Sequence, residues 1–183
     1  MNKDLERKIF ENFPELFPRL KKTAHYAYGG VYSISVGDGW YAIIHNACSL
    51  IKNRLENKSE MEGATLISIE DFYNEIEGMD DIDESDRIKY YIIPEFSEIK
   101  EKYGELRLYI SDPNNDDYID GILDMATKIS TVTCECCGRP SKRRNDAGWI
   151  VNQCKVCFFK EKRRKARRID MQTTLNYGAV DED

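Results

Sequence analysis

The stretch "TCECCGRP" places Cys134, Cys136 and Cys137 within four positions, and "QCKVC" adds Cys154 and Cys157 downstream. Cys134 and Cys137 enclose two residues, sixteen follow, and Cys154 and Cys157 enclose two more. Paired C-x2-C units at this separation are the spacing of a zinc site. Four thiolates at about 2.3 Å from the metal complete a tetrahedron and leave no position for a reacting water. The expectation is one structural zinc held by Cys134, Cys137, Cys154 and Cys157. Pairing Cys134 with Cys137 rather than Cys136 leaves the chain room to turn around the metal, and Gly138 supplies a permissive backbone directly after it. Cys136 is then a thiol beside the site, either a tolerated small side chain or a group with a redox or metal-exchange role. Cys48 lies near the apolar arc of a helical segment and reads as a small buried hydrophobe.

The charge is polarised around these cysteines. The net charge is −6. Residues 1–133 hold 15 Lys+Arg against 26 Asp+Glu, residues 134–170 hold 12 against 4, and the last thirteen residues add three acids. This divides the chain into an acidic body (1–130), a zinc module with a basic helix (131–170) and an acidic flexible tail (171–183). No run of apolar residues reaches the length of a membrane span, and "MNKDLERKIF" has no apolar signal core. The chain reads as cytoplasmic, where clustered thiols stay reduced and bind metal.

The body predicts an α+β fold with a short antiparallel sheet. Residues 3–12 read as a helix with Leu5, Ile9 and Phe10 as its apolar contacts, and it ends at the prolines of "NFPELFPRL". Tyr32, Ile34 and Val36 alternate as a strand. The clearest helix follows "GDGW": Trp40, Ile44, Ala47, Ile51 and Leu55 recur at steps of three and four, with Asp38 where an N-cap belongs. "ATLISI" reads as a strand, "EDFYNEIE" as a short helix and "GMDDIDESDR" as an acidic loop. Two strand-like runs, about 88–99 and 105–111, flank a bend at Gly104, and "DYIDGILDMATKIS" reads as a helix.

In the zinc module, a knuckle, a hairpin turning near Asn145–Gly148, and a helix beginning with the second ligand pair follow one another. On that helix Phe158, Phe159, Ala166 and Ile169 share one arc; Lys160, Arg163, Arg164, Arg167 and Arg168 occupy the opposite one. Lys142, Arg143 and Arg144, placed in the knuckle loop, extend the basic surface. Phosphates suit such a stripe, which makes nucleic acid a candidate partner. A protein partner and a solvated face, or one docked on the acidic body, stay open. Lys100, Lys102, Tyr103 and Arg107 form a second candidate patch; the plainer reading is a lysine-guarded edge strand.

No catalytic constellation emerges. His45 falls off the apolar arc of its helix and reads as exposed; His25 has no ligand at metal spacing. The carboxylates Asp38, Glu70, Asp71, Asp80 and Asp81 show no acid/base or two-metal spacing. A hydrolase or nuclease is therefore the weakest reading.

The order knuckle, hairpin, ligand-bearing helix resembles the treble-clef zinc fingers, with spacing similar to the GATA type. The three segments "GDGWYAIIHNAC", "IKEKYGELRLYI" and "CECCG…GWI…CKVC" together resemble a recurrent group of small proteins of tailed phages and prophages. That resemblance covers about residues 10–157. It implies a phage gene acting in a bacterial cytoplasm and carries over no catalytic residue. The extra thiol of "CECC" and the long basic helix depart from the pattern. Two functions follow as expectations: a non-enzymatic zinc-binding accessory protein on nucleic acid, or an effector that binds and inhibits a host protein, its acidic body mimicking a nucleic-acid surface.

Overall fold

A computed structural model describes residues 1–18, 34–76, 90–146 and 148–177. The fold is α+β. Five helices, α1 (Lys3–Asn12), α2 (Tyr41–Glu60), α3 (Ile69–Ile76), α4 (Asp117–Ser130) and α5 (Lys155–Tyr177), are described among these residues. The strands are β1 (Ile34–Ser35), β2 (Thr65–Ile67), β3 (Tyr90–Ile92), β4 (Glu95–Lys102), β5 (Glu105–Ser111), β6 (Lys142–Asp146) and β7 (Trp149–Gln153).

Among the described residues these strands form three small sheets. In the first, β4 is central, parallel to β1 and antiparallel to β5. β2 and β3 pair in parallel, and β6 with β7 forms an antiparallel hairpin. The run expected over 88–99 is two strands in different sheets, because buried Pro94 lacks the N–H that would carry one ladder through. β4 and β5 join through Tyr103 and Gly104, whose φ angles of 56° and 75° are the paired left-handed values of a two-residue hairpin turn.

One core gathers these elements. The predicted stripe of α2 is buried throughout and meets Ile9, Leu16, Ile34, Phe96, Ile99, Leu106 and Ile119. Cys48 is fully buried in that core, and desolvation pushes its thiol up. His45 is half-buried rather than exposed: Phe13 and Tyr41 flank its ring at 5.0 and 5.6 Å, and Asn12 lies 3.3 Å from Nε2. Asp38 does not cap α2. A 3₁₀ turn over Asp38–Trp40 precedes the helix, and the Asp38 carboxylate accepts instead from Asn2 N (2.6 Å) and Nδ2 (3.0 Å). Those Asn2 bonds also hold the Asp38 carboxyl below its ordinary range. Tyr32, His25, Asp80, Asp81 and the "GMDDIDESDR" loop lie outside the described residues.

Asp116 fastens α4 to the rest of the body. Its carboxylate caps the helix through Tyr118 N (2.9 Å) and accepts from Arg54 Nε on α2 (2.8 Å) and Tyr91 Oη on β3 (2.6 Å). Burial alone would push the Asp116 carboxyl up; the bonds from Arg54, Tyr91 and Tyr118 outweigh it and hold the group below the usual carboxylate range. Asp116→Ala should therefore destabilise the protein by about 2–3 kcal/mol in denaturant titrations at neutral pH. Because the folded pKa lies below the unfolded one, this contribution is complete above about pH 4 and is lost as pH falls through the folded value. The stability gap between Asp116→Asn and the parent should narrow with acidification, and a gap constant with pH would contradict the assignment.

Candidate metal centre

The four cysteines predicted as ligands meet at one point. The sulfurs of Cys134, Cys137, Cys154 and Cys157 all lie within 4.8 Å of one another. Cys137 Sγ and Cys154 Sγ are 3.8 Å apart. A tetrahedron with metal–sulfur bonds of about 2.3 Å has edges of about 3.8 Å, so a metal ion fits between them. Among the described residues no other group of His, Cys, Asp or Glu has a metal-holding geometry. Cys136 stands outside the four and is exposed. Partial desolvation beside the cluster pushes its thiol up to about 11, so it stays protonated at neutral pH.

Local backbone chemistry builds each half of the site. The first knuckle closes with Cys137 N and Gly138 N donating to Cys134 O at 3.3 and 2.9 Å, and Gly138 takes φ +74° to complete the turn. The second occupies the start of α5, where Cys157 N donates to Cys154 Sγ at 3.4 Å. That amide, first among several donors, lowers the Cys154 thiol to about 7. Burial pushes the Cys134 thiol up against the pull of neighbouring amides. Four thiols in this space repel one another as thiolates, and a cation among them relieves that repulsion. The hairpin β6–β7 lies between the knuckles, turning with Gly148 at φ +89°. The order knuckle, hairpin, ligand-bearing helix is the one expected from the sequence.

Sequence reasoning missed what holds the first knuckle against the body. It is the "GDGW" segment. Gly39 N donates to Glu135 O (2.7 Å), Gly37 N to Glu135 Oε1 (3.0 Å), and Trp40 Nε1 to Thr133 O (2.8 Å). The two backbones are so close that a Cβ on Gly39 would stand 2.1 Å from Cys134 O and 2.5 Å from Cys137 N. Burial pushes the Glu135 carboxyl up despite its bond from Gly37. The second attachment is Asn152 on β7, which is fully buried. Its Nδ2 donates to Ser130 O at the end of α4, its Oδ1 accepts from Ser141 Oγ (2.6 Å), and its carbonyl accepts from Glu135 N (3.0 Å). The β4–β5 turn completes the enclosure: a Cβ on Gly104 would lie 3.3 Å from Ile150 Cγ2, and Glu105 pairs with Arg143 and with Arg107. The signal in the sequence was the pair of glycines around Asp38, which mark a close backbone approach as well as a turn.

The basic residues separate into engaged and open groups. Lys142, Arg143 and Arg144 lie on strand β6, not in a knuckle loop. Arg143 pairs with Glu105, while Arg144 donates to Gln153 O (2.9 Å) and lies over the Phe158 ring at 5.4 Å. On α5 only Phe158 of the predicted apolar arc is buried, held by Arg144 on one side and by Lys162, 4.9 Å from its ring centroid. Phe159 and Ile169 are exposed, at 48% and 65%. Lys162 and Lys165 reach Asp146 at 3.6 and 2.8 Å, and Arg164 pairs with Glu161 along the helix. Lys160, Arg163, Arg167 and Arg168 have no ion-pair partner among the described residues and line one exposed groove along α5 with Val156, Phe159 and Met171. In the second patch, Lys100 pairs with Glu98 and lies over Tyr109, Lys102 lies over Tyr103, and Arg107 pairs with Glu105. Each cation there has a neighbour of its own. Lys100 and Lys102 sit on the central strand β4 rather than the edge strand β5.

No family model, no curated protein and no solved structure matches the chain. No helix of the described residues is long and apolar enough to cross a membrane.

Metal analysis of the purified protein should find one metal ion per chain. Cys137→Ser should release it, and Cys136→Ser should leave it bound; equal loss from both would overturn the ligand set. Gly39→Ala, which adds a single methyl outside the metal shell, should cost about 2–3 kcal/mol in unfolding experiments and weaken metal retention. Unchanged stability in this variant would contradict the close approach.

Proposed function

We propose that this is a phage-encoded, non-enzymatic zinc-binding accessory protein that engages nucleic acid through the exposed face of α5. Zinc is the metal this reading assigns, since it suits an all-thiolate tetrahedral set and a purely structural role. The observation that carries the nucleic-acid reading is the division of cations on α5. Lys162 and Lys165 share the Asp146 carboxylate, while Lys160, Arg163, Arg167 and Arg168 have no acidic partner among the described residues. An acidic body would attract these arginines; instead they face solvent along a helix of 23 residues, about 34 Å. Arginine offers phosphate a planar, bidentate fork.

Titration of a fluorescent duplex and a fluorescent single strand at several salt concentrations tests this. Affinity should fall steeply with salt, with a log–log slope of about 0.9 per phosphate neutralised on duplex DNA. Arg163→Glu, Arg167→Glu and Arg168→Glu together should abolish binding while metal content and thermal midpoint stay unchanged. Absence of binding to either strand form at low salt would overturn the reading.

The α5 groove also favours a second reading. Val156, Phe159 and Met171 stand exposed among the arginines, and an amphipathic acidic helix of a host protein would match both the apolar and the basic side chains. In that case the protein is a phage effector acting by protein–protein contact. Phe159→Ser would then abolish capture of a host protein at least as strongly as the arginine reversals, whereas nucleic-acid binding would depend chiefly on charge.

A further inference from the structure

Strand β5 is an edge of its sheet: β4 pairs with one side of it, and no strand among the described residues pairs with the other. Lys102 and Glu105 pair across a two-residue turn and exchange backbone bonds, so by alternation Glu105, Arg107 and Tyr109 face β4. Leu106 and Leu108 then turn their N–H and C=O outward. Helix α4 covers the first of these. Leu106 N donates to Ser130 Oγ (2.9 Å), and Leu106 O accepts from Thr127 Oγ1 (3.2 Å). Leu108 lacks such cover: its N–H and C=O have no hydrogen-bond partner among the described residues. Across from it stand Asp120, Leu123 and Asp124 of α4, with a groove of about 580 Å³ between. That is the size of a small-ligand site. An open backbone pair on an edge strand is where an extended peptide adds as a further strand.

The charges of the groove say which peptide. At the β4–β5 turn, Arg107 shares the Glu105 carboxylate with Arg143, and Lys102 has no ion-pair partner among the described residues, which leaves this end positive. On the opposite wall Asp120 and Asp124 are exposed, and neither has an ion-pair partner among the described residues. Helix α4 runs back along β5 from the Thr127–Leu106 contact, which puts Asp120 about 10 Å, two helical turns, towards the far end. Three extended residues span about 10 Å. A free peptide of that length carries a carboxylate at one end and an ammonium at the other, matching both poles of the groove. With its carboxylate at Lys102 and Arg107 it runs antiparallel to β5, and its central residue exchanges both backbone bonds with Leu108.

We infer that the groove between β5 and α4 binds a short free peptide of about three residues, added as a strand at Leu108 between Lys102 and Arg107 at one end and Asp120 at the other. The site does not rest on the reading of α5.

Tri-alanine titrated into the isotope-labelled, metal-loaded full chain, with the Leu108 amide followed by NMR, tests this. The amide should shift saturably, with a dissociation constant below about 1 mM. Amidating the peptide carboxylate or acetylating its amine should each weaken binding at least about tenfold. N-methylation of the central alanine, which removes the donor to Leu108 O, should abolish it. Lys102→Gln and Asp120→Asn should each weaken binding at least about fivefold while metal content and thermal midpoint stay unchanged. A constant above that limit, no shift at Leu108, or indifference to N-methylation or to both variants would overturn the inference. Sensitivity to only one of the two caps would overturn the free-peptide assignment, amidation alone pointing to the C-terminus of a protein chain.

Discussion

The rest of the structure depends on the approach of two backbones at Gly39 and Cys134. The body offers a turn with no side chain, and the metal knuckle lays its carbonyls and amides against it. Hydrogen bonds from Gly37, Gly39 and Trp40 fix the contact. Trp40 connects this joint to the core: its ring is fully buried at the start of α2, and its indole N–H holds Thr133, next to the first metal ligand. The metal site is thus continuous with the body through hydrogen bonds and packing, in addition to the peptide link after α4.

This continuity determines where α5 stands. Its first turn supplies Cys157, its second begins with Phe158 held between Arg144 and Lys162, and Asp146 takes two lysines further along. Beyond these contacts the helix continues past Met171 to Tyr177. The anchored side is paired with Asp146 and partly apolar, while the outer side keeps its arginines. A helix anchored at its base presents its outer face without rearrangement of the fold, which limits the ordering cost of binding.

Much of this was legible in the sequence where the signal was local. The spacing of Cys134, Cys137, Cys154 and Cys157 identified the cluster because metal ligands must recur at distances the chain can turn through. The buried stripe of α2 followed from helical periodicity, and the β4–β5 bend from Gly104. What the sequence concealed involves partners far apart along the chain. Asp38 has the chemistry of an N-cap, yet Asn2 claims its carboxylate; Asn152 looks like a polar strand residue, yet it is a buried staple between α4, β6 and the knuckle. Arg143 and Arg144 read as free cations because Glu105 and Phe158, their partners, are distant in sequence. On the apolar arc of α5, periodicity identifies a face but not what covers it: of the four residues there only Phe158 is buried. The three segments "GDGW", "KEKYGELR" and the cysteine knuckles, far apart along the chain, surround one joint.

Amide hydrogen exchange at Gly39, followed by NMR with the metal bound and after its removal by a chelator, tests the joint most directly. Its amide donates to Glu135 O across the contact between body and knuckle. If the knuckle and the body are one cooperative unit, the Gly39 amide is protected as strongly as those in the middle of α2, and chelation exposes it. Rapid exchange in the metal-loaded protein, or protection indifferent to the metal, would contradict the account.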